Sequence, residues 1–394
     1  MSTIHAVNSL TARWAGTVED GTVFSAAGVW PLLAFLADGA DGPAREELAA
    51  ALGVPADQAA AAARELLAAM DSMEGLDAAL GLWTSRTLEL HERWTAGLPA
   101  PARGVLTADP EADQRNLDAW AAKHTNGLIE RMPVEVTGDT ELLLADALVL
   151  RTRWLRPFER CPLRPAAGPW QGRTLRGLHR RSIRLDRIGV AATQGGQVTE
   201  LKVLGDNGID VHLLLGDERM TPGQVLGAGV ALVDRRLTAV PGSRLPHGQA
   251  GPGVHVEEQQ CTSPQPPSLD VRTVAYDVTA DHDLLHRHAL FGLTTARNTA
   301  YGHFPGVSAA PLAVAAAGQS ALARFHELGF EAAAVTAVAA TRGGAPPARR
   351  YLTTVVQAVF DRPFGFLAVH RETRLVLAAG WVTDPEPYRE DGYR

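Results

Sequence analysis

Phe325-His326-Glu327-Leu328-Gly329-Phe330-Glu331-Ala332-Ala333-Ala334-Val335-Thr336-Ala337-Val338-Ala339-Ala340-Thr341-Arg342-Gly343-Gly344 is the stretch on which the fold of this chain turns. In a strand, alternate side chains share a face. Phe330, Ala332, Ala334, Thr336, Val338 and Ala340 then share one face, and Glu331, Ala333, Val335, Ala337 and Ala339 the other. Most of these side chains are small, so the segment can slot between existing strands with little steric demand. Alanine also has the strongest helix propensity, and by propensity alone the same residues read as an ordinary helix. The rest of the chain decides between the two.

Thr22-Val23-Phe24-Ser25 precedes an apolar run, Leu32 to Leu36, closed by Gly39. Thr125-Asn126-Gly127-Leu128-Ile129 follows. The segment Asp146 to Trp154 leads into Pro157-Phe158. His303-Phe304-Pro305-Gly306-Val307-Ser308, Asp361-Arg362-Pro363-Phe364 and Gly380-Trp381-Val382-Thr383-Asp384-Pro385 come later. Together with Glu327, Gly329, Glu331, the alanines and Thr336, these segments resemble, in order, the motifs of the serpin family. That family's hinge reads Glu, any residue, Gly, Thr or Ser, Glu, a run of small residues, then Thr.

The resemblance implies an α+β fold. It has a large central β-sheet with further sheets, a helical N-terminal half and an exposed reactive loop over about residues 329–356. All of it belongs to a single domain, 1–394. It implies a suicide-substrate inhibitor of a serine protease. The loop is bait, the protease acylates it, and insertion into the central sheet drags the trapped enzyme away. Glu327, Gly329, Phe330, Glu331, Ala332, Ala333, Ala334, Val335 and Thr336 would form the hinge. Counting on from Glu327 puts the scissile bond at Arg342-Gly343 or Gly343-Gly344. An arginine before the cut suits a trypsin-like protease, whose specificity pocket carries an acid. The stretch from Gly329 to Pro363 is long for the family, so Arg349 and Arg350 are alternatives.

Four residues depart from the family pattern. Phe330 stands where inhibitory members carry Thr or Ser, and a bulky ring there is expected to slow insertion. Gln319 replaces a usual histidine, Gly28 a serine and Asp146 an asparagine. With Ser25 and Trp154 they occupy the region that controls sheet opening in the family. These departures support a second expectation, a non-inhibitory serpin-fold protein with a binding, chaperone or biosynthetic, even enzymatic, role.

Composition bounds the rest. Of 394 residues, 46% are hydrophobic and 21% charged, ordinary for a packed globular chain. A net charge of −7 argues against nucleic-acid coating. Lys123 and Lys202 are the only lysines among 37 basic residues, the mark of a GC-rich, bacterial type of coding bias. Cys161 and Cys261 are too few for a disulfide framework and read as buried free thiols. The first residues lack an apolar leader, and no apolar run reaches the ~18 residues of a membrane span, so a soluble, cytoplasmic protein is expected.

No phosphate loop, CxxC, HExxH or GxSxG motif occurs, so no cofactor and no metal are expected. His286 and His288 would suit a metal on a strand, but beside Asp281 and Asp283 they read as surface residues. Glu257 and Glu258 read as solvated carboxylates, and Cys261 has no evident base. Arg173, Arg176, Arg180, Arg181, Arg184 and Arg187 crowd one stretch, with Asp186 opposing them. They read as a solvated strand edge or a polyanion site.

The hydrophobic pattern predicts helices from Gly42 to Leu52, after Pro55, and from Asn116 to Met132. It predicts strands at Leu142–Leu150, Ile209–Leu213, Leu352–Phe360, Phe364–Val369 and Leu375–Val382, with a hairpin turn at His370 to Thr373. Pro241 to Pro252 and Gly343 to Arg350 read as loops.

Overall fold

The computed structural model describes residues 2–298, 302–330 and 351–389. Three β-sheets pack with helices that are concentrated toward the N-terminus.

The central sheet runs in the order Arg103–Leu106, Leu76–Ser85, Leu142–Leu150, Ala316–Phe325, with Tyr276–Asp283 on the far side of Ala316–Phe325. Leu142–Leu150 and Ala316–Phe325 are parallel neighbours, in register from Ala316 opposite Leu143 to Ala321 opposite Leu148. Beyond that point the two part. The gap is filled by Thr152–Arg153 and Gly329–Phe330, with Gly329 opposite Arg153 and Phe330 opposite both Thr152 and Phe325.

Both faces of this sheet are covered, which explains the unbroken apolar run of Leu142–Leu150. Leu142, Leu144 and Leu148 pack into the main core with the Ala26–Gly39 helix. Leu143, Ala145 and Ala147 pack with Leu117, Ala121, Ile129 and Met132. That second layer is the Pro110–His124 helix and the segment after it. The helix starts and ends earlier than the predicted Asn116–Met132. Pro110 takes the first helical position, and the Asp109 carboxylate caps it by accepting from the Ala112 N–H at 3.1 Å. Asn126 and Gly127, at φ +52° and +80°, end it. Ile129 and Met132 still bury their side chains, so the apolar pattern outlasts the helix.

A second sheet runs Thr22–Phe24, Val376–Val382, Phe364–His370, Ile209–Gly216, Gly196–Val203, Ile188–Thr193, Val240–Pro241. A third runs Gly248–Gly251, Val254–Cys261, Tyr351–Val359, Ser268–Val274, Leu175–Ser182, Glu159–Leu163. The predicted loop Pro241–Pro252 therefore holds a short helical turn, Gly242–Arg244, and the Gly248–Gly251 strand. The arginine-rich Leu175–Ser182 strand lies inside its sheet rather than at an edge. Among the described residues no helix is long and apolar enough to cross a membrane.

Candidate functional site: the gap in the central sheet

The closed end of the gap is held by a buried polar cluster. Ser25 caps the Ala26–Gly39 helix, its hydroxyl accepting from the Gly28 N–H at 3.1 Å and donating to the Leu377 carbonyl at 2.6 Å. Gln319 sits opposite Asp146 across the parallel strand pair. Its side-chain carbonyl accepts from the Ser25 N–H at 2.8 Å. Its amide donates to the Ser25 carbonyl at 2.9 Å and to the Asp146 carboxylate.

Asp146 is fully buried, and its Oδ1 has no hydrogen-bond partner. Burial pushes its carboxyl up to about 7, against the opposing effect of the Gln319 hydrogen bond. A Cβ at position 28 would run into that carboxylate, so Gly28 is what makes room for it. The three departures at Gly28, Asp146 and Gln319 are thus mutually fitted. His282, opposite Gln319 on the next strand, hydrogen-bonds the Val23 carbonyl at 2.8 Å. Burial lowers its pKa, so the neutral imidazole is favoured there.

The open end of the gap is held by Trp154 and a charge network. Trp154 donates its indole N–H to the His326 carbonyl at 2.8 Å and its backbone N–H to the Leu328 carbonyl at 2.9 Å. The Phe158 N–H donates to the Glu327 carbonyl at 2.8 Å. The Glu327 carboxylate, 5% exposed, takes Arg160 on Oε1 at 2.6 Å and Arg176 on Oε2 at 2.9 Å. Burial pushes this carboxyl up, but the Arg160 hydrogen bond, a backbone hydrogen bond and the charges of Arg176 and Arg160 together hold it below the usual glutamate range. Arg176 also bonds Glu386 at 2.6 Å.

Next along, Gly329 lies where a Cβ would meet the backbone of Thr152 and Arg153. Phe330 is 2% exposed, with its ring 6.2 Å from that of Phe366. The ring already lies in the core and is not still waiting to enter the sheet.

The structure thus brings together Ser25, Gly28, Asp146 and Gln319 at one end of the gap, and Trp154, Glu327, Gly329 and Phe330 at the other. Glu331, Ala332, Ala333, Ala334, Val335, Thr336, Arg342, Gly343, Gly344, Arg349 and Arg350 lie outside the described residues. The chain is next described at Tyr351, which opens the Tyr351–Val359 strand of the third sheet. Arg160, Glu386 and His282 had no signal in the sequence as members of this site, because their partners lie far along the chain.

Other candidates fall elsewhere. His286 lies in a turn and His288 opens a short helix, so neither is on a strand, and no metal-holding group occurs among the described residues. Cys161 and Cys261 are free thiols, half-buried rather than fully buried. The arginines of the crowded stretch mostly have protein partners. Arg173 bonds Asp384, Arg176 bonds Glu327 and Glu386, Arg181 bonds the Ser268 hydroxyl, and Arg184 bonds Asp186.

The model of the family described as serpin (serine protease inhibitor) matches residues 6–165. A rice protein named putative serpin-Z6A is 26% identical over 92% of this chain and 93% of its own length. Over nearly its whole length the chain is thus similar to serpins. Two solved serpin-fold structures resemble it throughout. Thermophilic tengpin in its native state gives a TM-score of 0.73 at 14% identity, covering 97% of this chain and 94% of that one. Thyroxine-binding globulin in complex with thyroxine gives 0.72 at 16% identity, covering 98% and 99%. The helices and three sheets described above therefore form the serpin fold.

Proposed function

We propose that this chain is a serpin that inhibits a serine protease by reactive-loop cleavage and insertion, and that Arg342 is its bait residue. One observation carries the reading. Gly329–Phe330 already pairs at the mouth of a gap between two parallel strands, at the start of the run of small residues. A strand that continued from there between Leu142–Leu150 and Ala316–Phe325 would be antiparallel to both.

In the proposed reaction, the protease serine oxygen attacks the Arg342 carbonyl carbon. The bond to the Gly343 nitrogen breaks, and the leaving amine takes a proton from the protease's histidine. Arg342 stays esterified to the protease while residues 331–342 enter the sheet. A trypsin-like protease is the proposed partner, with Gly343-Gly344, Arg349 and Arg350 as the alternative points of cleavage.

A second reading is a serpin scaffold that binds without inhibiting. Phe330 favours it, since its buried ring replaces the Thr or Ser of inhibitory hinges. Thyroxine-binding globulin, similar in fold, is complexed with thyroxine.

Incubation with trypsin followed by denaturing electrophoresis separates the two. The inhibitory reading expects a covalent band heavier than either protein, lost in Arg342→Ala. Clean cleavage with no such band overturns it.

A further inference from the structure

At the end of the central sheet opposite the gap, the segments that lead into Leu142–Leu150 and Ala316–Phe325 line a cavity of about 450 Å³. That is a volume typical of small-molecule sites. Residues 137–141 form one wall and residues 311–315 another, with Leu285 and Arg297 completing it. The floor is apolar, since Leu312 and Val314 are buried in the core. The rim is charged, with Asp139, Glu141 and Arg297 all exposed.

These three charges are unspent. Among the described residues, Asp139 and Glu141 take no ion pair or side-chain hydrogen bond, and Arg297 pairs with neither of them. The wall also carries unspent backbone groups. The Val314 N–H donates to the Ala296 carbonyl at 2.9 Å and the Ala315 N–H to the Leu142 carbonyl at 3.0 Å. Leu312 and Ala313 are only 1% and 8% exposed, yet their N–H and carbonyl groups have no protein partner. Buried backbone groups are rarely left so, and here they border a space that a ligand can fill.

We propose that this cavity binds a small zwitterion with an apolar side chain, of free amino acid or dipeptide size. Arg297 supplies a fork of donors for the carboxylate. Asp139 and Glu141 accept from the ammonium group. The apolar side chain covers Leu285, Leu312 and Val314, and the Leu312 and Ala313 backbone meets the polar groups between the two charged ends. The two carboxylates stand on one wall and the guanidinium on a separate segment, so the site favours a ligand with opposite charges at its two ends over a simple anion or cation. The site is independent of the proposed protease inhibition.

The test is calorimetric titration of the intact protein with L-leucine and with L-leucyl-L-leucine. Saturable binding of at least one is expected. The tighter of the two assigns the ligand as an amino acid or a dipeptide, and its N-acetyl and C-amide forms are then titrated. Each block removes one charged end and should weaken binding about tenfold. Asp139→Asn combined with Glu141→Gln should weaken the free ligand by a similar factor and leave the N-acetyl form no weaker than before. Arg297→Gln should do the same for the free ligand and leave the C-amide form unchanged. Arg115→Ser, on the exposed face of the Pro110–His124 helix, should change nothing. The varied residues are exposed, so unchanged thermal unfolding shows that a loss is one of binding. No saturable binding of either compound, blocked forms that bind as tightly as free ones, or equal weakening by Arg115→Ser overturns the site.

Discussion

Asp146 makes stability depend on pH in an unusual direction. In the folded protein its carboxyl is pushed up to about 7. In the unfolded chain it titrates near 3.9. Between about pH 4 and 7 the folded protein keeps a proton that the unfolded chain has lost, so this group makes the fold less stable as pH rises. Its stabilising share is fully present below about pH 4 and gone above 7. At about 1.36 kcal/mol per pH unit, the loss is at most about 4 kcal/mol. Asp146→Asn keeps the shape and removes the charge. Its thermal midpoint should match the parent at pH 4 and exceed it progressively toward pH 8. Parallel curves across that range would show that the carboxyl does not titrate there. Neither the burial of Asp146 nor the room made by Gly28 can be read from residues more than a hundred positions apart in the chain.

At the scale of elements, the hinge is the point of interest. Phe330 is the last described residue before the small-residue run, and it is packed as a core residue. Phe330→Thr removes a buried ring and should cost about 3 kcal/mol of stability, measured by denaturant unfolding. If the ring limits further insertion, the same variant should raise the fraction of covalent protease adduct. A lower or unchanged fraction would place the limit elsewhere in the gap, with Gln319 and Asp146 the next residues to vary.

Element prediction succeeded where the pattern was strong. Leu142–Leu150 is a strand as its apolar run implies, and Gly42–Leu52 is a helix that ends at Gly53 in the left-handed conformation. It failed around Asn116–Met132 because burial alone cannot tell a helix from an irregular segment packed on the same sheet. It failed at Pro241–Pro252 because a four-residue strand with two glycines has little pattern of its own.

For the whole molecule, the proposed cycle ends in a sheet with one more strand. New ladder bonds and newly buried side chains should make the cleaved chain the more stable form. Limited cleavage after Arg342 should raise Tm by more than about 10 °C, since each kcal/mol moves a domain of this size by about 2 °C. Scanning calorimetry of intact and cleaved protein measures this directly, and an unchanged Tm would mean that the loop does not insert.

By itself the sequence determined the class of fold, through the order of its motifs, and the run of small side chains after the hinge. These are local properties of neighbouring residues, legible from spacing and size. The tertiary structure decided what holds the gap in the central sheet. Glu327 is neutralised by Arg160 and Arg176, Phe330 is drawn into the core, and Gly28 makes way for Asp146 beneath Gln319. Each of these depends on residues that only folding brings within a few ångströms, and whether a charge or a ring is stable there depends on the solvent excluded around it.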